Sequence, residues 1–200
     1  MNPAPPPDWN PRDPQVLHDQ IAAYDAMRHR CPVAHSDYLW LSLFCHADVV
    51  RVLHDHATFS NGASNHLSIP NAMDPPEHTV YRRIVERYFA AGPMAAFEPV
   101  CQAISNALVS DLPRTECVEL MVGFAQPFAL QVQCAFMGWP DSLHEPLRQW
   151  IGKNHLATRA GDRSAMAQIA VEFDGHIKQQ LTVRRDAGAQ GPDDVTTQLL

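Results

Sequence analysis

The chain contains no run of apolar residues long enough to cross a bilayer, no basic cluster that would mark a nucleic-acid surface, and no Cys-x-x-Cys pair of the zinc-knuckle kind. Its most apolar stretch, Tyr38 to Leu53, is broken by Ser42, His46, Asp48 and Arg51. That falls short of the 18 or so unbroken apolar residues a spanning helix needs, about 30 Å of hydrocarbon. The opening Met1-Asn2-Pro3-Ala4-Pro5-Pro6-Pro7 has neither the basic flank nor the apolar centre of a signal peptide. A cytoplasmic location without a membrane span is expected. Basic residues are the minority, 15 against 22 acidic, for a formal charge of −7. A general nucleic-acid role that depends on phosphate neutralisation is excluded on that ground. Charged residues make up only 18% of the chain and hydrophobic residues 46%, which excludes a disordered tail or a polyelectrolyte. The five cysteines, Cys31, Cys45, Cys101, Cys117 and Cys134, are odd in number and scattered, which fits reduced thiols better than a disulfide framework.

No internal repeat is present. Two hundred residues suffice for one ordinary domain or a piece of a larger one. Residues 1–12 read as an extended, proline-rich arm, with order beginning near Asp13. Asp13-Pro14 is a helix start, and Val16, Leu17, Ile21, Tyr24 and Met27 fall within about 140° of arc on one continuous helix. Cys31-Pro32 ends it. Tyr38 to Phe44 is a short aromatic strand, hairpin-paired with Val33 to Ser36, and the only convincing β signal. Helix resumes at His46 and gives way to a loop from Ser60 to Met73. Beyond it, Met94, Phe97, Cys101, Ile104 and Leu108 make a stripe within about 80°, with the helix start at Gly92-Pro93. Ala125 to Met137 is a more uniformly apolar helix closed by Gly138. Ser142 to Glu145 looks like a capping box. Met166, Ile169, Phe173, Ile177 and Leu181 define a long helix with Arg184-Arg185 against its dipole, and Asp193-Asp194 would cap one more. The sum is a mainly α fold with a small N-terminal sheet.

The most informative stretch runs from Asp74 to Phe89. Asp74 as N-cap, Pro75 at the first helical position and Glu77 at the third predict a capped helix start. With His78 at zero on a helical wheel, Arg82 lies at about 40°, Val85 at about 340° and Phe89 at about 20°. One face thus joins two nitrogen donors to an apolar floor. It suits a flat apolar ligand bearing carboxylates, because Arg82 can fork a carboxylate while His78 donates from one turn earlier. The plainer alternative is a solvated helix on which Arg82 pairs with Glu86.

Ile69-Pro70-Asn71-Ala72-Met73, then Asp-Pro-Pro-Glu-His and Arg82-Arg83, resembles the substrate-loop and C-helix signature of the cytochrome P-450 family, the haem-thiolate monooxygenases. The likeness extends from a helix before the Trp40 to Phe44 strand, through Thr58-Phe59-Ser60-Asn61 and Cys117-Val118-Glu119-Leu120, to Gly138-Trp139-Pro140 and what resemble the F, G and early H helices. It implies the N-terminal half of that fold, A to early H helices, with residues 13–200 part of a single domain incomplete at its C-terminus. It also implies that His78 and Arg82 bind the propionates of haem b, and that Leu67 and Asn71 touch substrate. A terpenoid, an aromatic or a fatty-acyl compound would each fit as substrate, and Ile69-Pro70 and Met73, which resemble terpene-oxidising members, favour a terpenoid.

By the same resemblance, the full enzyme hydroxylates a small hydrophobic substrate with O2. Its electrons come from a ferredoxin-type partner that draws indirectly on NAD(P)H. The proximal loop with the axial cysteine, the oxygen-activating helix and the true Glu-x-x-Arg helix have no counterpart here. No residue of this chain is therefore expected to be catalytic or to ligate metal, and the chain alone should bind haem poorly and oxidise nothing. Three partial matches are rejected: Phe59 to His66, Glu145-x-x-Arg148, and Ala160 to Ser164. His54-x-His56 has poor geometry for one metal, about 200° apart on a helix. Phe124, Phe128, Val132 and Phe136 read as core, while Arg83 and Arg87 are candidates for docking an acidic carrier. The competing functional class is a truncated, non-catalytic helical binding or interaction protein, with its apolar faces covered by a partner.

Overall fold

A computed structural model describes residues 8–62 and 68–200. The chain divides into two compact units, Met1–Val85 and Glu86–Leu200.

In the first unit, the Asp13 carboxylate accepts the Gln15 N–H at 2.8 Å and starts α1 (Pro14–His18). The expected continuous helix does not form. Asp19, at φ −141° and ψ 81°, breaks it, and its carboxylate accepts the Ala22 N–H to start α2 (Gln20–Arg30). A short acidic side chain competes for free backbone donors, which favours a cap over a helix interior. The break takes Leu17 and Ile21 out of the buried stripe, leaving them 56% and 77% exposed against 4% for Met27. Order also begins before Asp13. The Asp8 N–H donates to His35 O, the His35 N–H donates to Asp8 Oδ2, and Trp9 meets Tyr24 and Phe44 edge-on. The Trp9 ring, packed against Tyr24 and Phe44, anchors this segment.

The hairpin forms as expected, β1 (Val33–Ser36) antiparallel to β2 (Trp40–Leu43), with Val33 opposite Leu43 and Ser36 opposite Trp40. The second strand starts at Trp40 rather than Tyr38, because the buried Ser36 hydroxyl accepts the Leu39 N–H and holds Tyr38 and Leu39 in the turn. After α3 (His46–His54) comes a turn in which Asp55 accepts the Thr58 N–H. The loop then leads to α4 (Glu77–Glu86).

The second unit is a helical stack. All five stripe residues of α5 (Ala91–Ser110) are half-buried, and the helix begins one residue before Gly92. A π-turn, Met121–Ala125, enters α6 (Gln126–Met137). Gly138 closes α6 with φ +72°, as its position predicted. The capping box at Ser142 is absent. Asp141–Leu143 form a 3-10 turn ahead of α7 (His144–Ala160), and the Glu145 carboxylate is held by Arg148 and Gln149 instead. Gly161 ends α7, and Asp162 caps α8 (Arg163–Ala187) by accepting the Ala165 N–H, so Ala160 to Ser164 is indeed a break between helices. Trp150 of α7 stacks on Phe173 of α8 and donates its indole N–H to Ile169 O at 2.8 Å. Cys134, Leu143 and Leu147 form the buried centre, with Leu130, Trp139 and Phe173 around it.

Arg184 does not act as an exposed dipole partner. Its side chain is 3% exposed and donates to both oxygens of Asp194, to Gly138 O at 2.7 Å, and to the main-chain and side-chain oxygens of Gln180. Asp194 also caps α9 (Val195–Gln198) by accepting the Thr197 N–H. Burial pushes the Asp194 carboxyl up, but the Arg184 and Thr197 hydrogen bonds outweigh it, so the group ionises below its ordinary 3.8. Removing one partner of a buried pair leaves the other charge uncompensated. Arg184→Ala is expected to cost about 3 kcal/mol in urea unfolding followed by helical circular dichroism. A depressed carboxyl stabilises above its unfolded-state pKa, and that contribution fades as pH falls through the folded value. Acid unfolding of the wild type below about pH 4 should therefore include a component that Asp194→Asn abolishes.

Candidate functional site

The helix that carries the predicted site starts at Glu77, and the capping box proposed for Asp74 and Glu77 does not form. Asp74 Oδ1 accepts the Asn61 main-chain N–H at 3.0 Å and the Asn61 side-chain amide at 3.2 Å, and Oδ2 accepts the Ser60 hydroxyl. Both carboxylate oxygens are turned to Ser60 and Asn61, and among the described residues neither accepts an N–H of the first turn of α4. The Asn61 backbone donor, followed by the Ser60 hydroxyl, holds the Asp74 carboxyl below its ordinary value. Burial opposes them, and the Asn61 side chain and the charge of His56 add smaller contributions in the downward direction. Asp74 instead begins α4 through its main chain, whose oxygen accepts the His78 N–H at 3.0 Å.

His78 and Arg82 sit one turn apart on α4, at about 40° of arc. His78 and Val85 are half-buried and Arg82 is exposed. Among the described residues neither His78 nor Arg82 has a side-chain hydrogen bond or an ion pair, and the i, i+4 pair of Arg82 with Glu86 is not formed. One forked cation and one imidazole donor, with no side-chain partner among the described residues and on the same face as the apolar Val85, fit the carboxylates on the rim of a flat apolar group. The α-helix ends at Glu86 and Arg87–Phe89 wind as a tighter 3-10 turn, so the position read for Phe89 on a continuous α-helical wheel does not apply. Phe89 packs against Phe136 at 5.3 Å instead.

The other candidates separate cleanly. Leu67 lies outside the described residues. Asn71 is exposed in the turn in which Ser68 O accepts the Ala72 N–H. The Arg87 guanidinium lies over the Tyr88 ring and donates to Tyr88 Oη and Gln198 O, so it is engaged within the protein, while Arg83 is exposed. His54 ends α3 and His56 lies in the following turn, and no group of three metal-ligating side chains occurs among the described residues. Phe124 and Phe128 stack on each other at 5.6 Å, as core residues would. Cys134 is buried and its thiol is pushed up by that burial, with the charge of Asp141 adding to the effect, the opposite of what a thiolate ligand needs. Sequence reasoning missed the Asp74 clamp, for no local pattern links it to a turn 13 and 14 residues upstream.

Erythromycin C-12 hydroxylase of Saccharopolyspora erythraea is 31% identical to this chain over 146 residues, 68% of this chain and 36% of that protein. Probable cytochrome P450 127A1 of Sinorhizobium fredii is 32% identical over 152 residues, 71% of this chain and 36% of that protein. The chain belongs to the cytochrome P450 family. No family model matches it. Among solved structures, a mutant of P450 EryK in complex with erythromycin B superposes with a TM-score of 0.71 at 27% identity, over 90% of this chain and 49% of that one. The Bacillus subtilis P450 PksS, at 19% identity, shares the fold with a TM-score of 0.80 over 96% and 51%. The chain thus spans about half the length of the P450 structures it matches and about a third of the curated relatives named here. Its helices and small sheet are the N-terminal half of the P450 fold.

Glu145 and Arg148, which imitate the family's Glu-x-x-Arg spacing, form an exposed pair with two contacts of 2.7 Å, and Arg148 with Gln149 holds the Glu145 carboxyl down at about 2. In Arg148→Ala, Glu145 should titrate upward, toward its ordinary 4.5, when followed by carboxyl NMR. Haem affinity should not change.

Proposed function

We propose that these residues grip haem b for a P450 monooxygenase that inserts one atom of dioxygen into a small hydrophobic substrate. In this proposal the enzyme works in the cytoplasm with a ferredoxin-type electron donor supplied indirectly by NAD(P)H. Bound haem supplies the dioxygen chemistry through its thiolate-ligated iron. This chain's own contribution is binding and orientation. The observation that carries the proposal is the pair of donors, His78 and Arg82, on one face of α4 and without side-chain partners among the described residues, in a chain of this family. Arg82 would fork one propionate and His78 would donate to a propionate from one turn earlier, which fixes the haem edge against Val85 and offsets the charge of both carboxylates. No residue of these 200 is assigned a catalytic role. Leu67 and Asn71, ahead of α4, are proposed as substrate contacts. The hydroxylase named among the relatives acts, by its name, on erythromycin, which supports hydroxylation of a hydrophobic organic molecule as the reaction class.

Haem titration of the 200-residue chain, read by the Soret band, tests the anchor. His78→Ala and Arg82→Ala should each weaken binding by about tenfold or more, the usual worth of a hydrogen bond to a charged group. Identical affinity in wild type and both variants would sink the propionate assignment.

A further inference from the structure

Asp74 holds its neighbours from both ends. Its carboxylate takes three hydrogen bonds from Ser60 and Asn61, and its main-chain oxygen takes the N–H of His78. The Ser60 hydroxyl in turn accepts the Gly62 N–H at 2.9 Å, so the turn after α3 is organised around the same carboxylate. Among the described residues no other side chain holds the start of α4 in this way. Glu77 makes no cap, and a ten-residue helix is too short to hold itself in water. All of these contacts lie within the first unit.

We infer that Asp74 is a positioning residue for the haem-gripping pair: its carboxylate pins the first turn of α4 to the Ser60–Gly62 turn and thereby sets where His78 and Arg82 present their donors. The inference rests on the proposal that this face binds propionates, but its central test does not need haem. The acceptor for the His78 N–H is the main-chain oxygen of residue 74, which no substitution there removes. Protection of that amide changes only if the carboxylate fixes the backbone around it.

Amide hydrogen exchange in the haem-free 200-residue chain provides the measurement. In Asp74→Ala, the Asn61 and His78 amides should both exchange about tenfold faster or more, while the amides of α8 keep their wild-type rates as a check on folding. Asp74→Asn retains one carbonyl oxygen for the Asn61 N–H and should restore part of the protection at both sites. Loss of protection at Asn61 with wild-type exchange at His78 would overturn the inference, as would full protection at both. If Asp74→Ala also loosens α8, the same criteria apply to Asp74→Asn, which removes the carboxylate acceptor of the Ser60 hydroxyl, and to Ser60→Ala, which removes that contact together with the acceptor of the Gly62 N–H. Haem titration then separates the two ideas. If His78→Ala weakens haem binding and Asp74→Ala does not, positioning is refuted; if neither His78→Ala nor Arg82→Ala weakens it, the propionate assignment fails whatever the exchange rates show.

Discussion

Arg184 brings three stretches of the second unit to one point. Its guanidinium has five N–H donors in a fixed plane, and acceptors surround it: Asp194 before α9, Gly138 at the end of α6, and Gln180 one turn back on α8. The approach is close enough to dictate a glycine. A Cβ on residue 138 would come within 2.2 Å of Asp194 Oδ2, and the same residue needs φ +72° to end its helix. Neighbouring groups join the arrangement. The buried Thr196 hydroxyl donates to Met137 O and accepts the Trp139 indole N–H, so the α6 end and the start of α9 are tied twice. With few apolar side chains fully buried in this unit, a satisfied polar centre determines how the helices meet.

The first unit works by the same rule on a smaller scale. Its hairpin, the short helices α1 to α4 and its N-terminal segment have little apolar core, with Met27 and Ala34 its buried hydrophobic residues among those described. Short acidic side chains do much of the local ordering: Asp13 and Asp19 start helices, Asp8 closes onto His35, Asp55 organises the turn after α3, and Asp74 joins that turn to α4. Such contacts are effective because a carboxylate can take several backbone or hydroxyl donors at once and is strengthened by each. Function follows from what they leave unsatisfied. Every donor engaged in holding the chain together is unavailable to a ligand, and on α4 the donors of His78 and Arg82 have no such engagement among the described residues.

Helix identity was legible wherever apolar residues kept a 3.6-residue period. The α5 stripe from Met94 to Leu108 is the half-buried face of that helix, the hairpin sits where its aromatic and β-branched residues place it, and Gly138 and Gly161 end helices in the left-handed conformation. Helix starts were read less well. Asp74 and Ser142 were each assigned by a local rule, and in each case another donor claimed the group or the backbone turned differently, while the break and cap at Asp19 were not read at all. Capping competes with every other partner within reach, and that competition is not written in a window of four residues.

The sequence by itself determined the family, through Asp-Pro-Pro-Glu-His followed by Arg82, and with it the face on which His78 and Arg82 lie, because spacing on a helix is a property of the chain alone. Only the tertiary structure decided which charged groups are free to bind and which are consumed. Arg184, Arg87 and Asp74 look like surface charges in the sequence, and all three are bound by residues distant from them or adjacent in space. The physical reason is that a hydrogen bond depends on where donor and acceptor meet in three dimensions, and contacts separated by 13, 46 or 111 positions leave no periodic trace in the order of the residues.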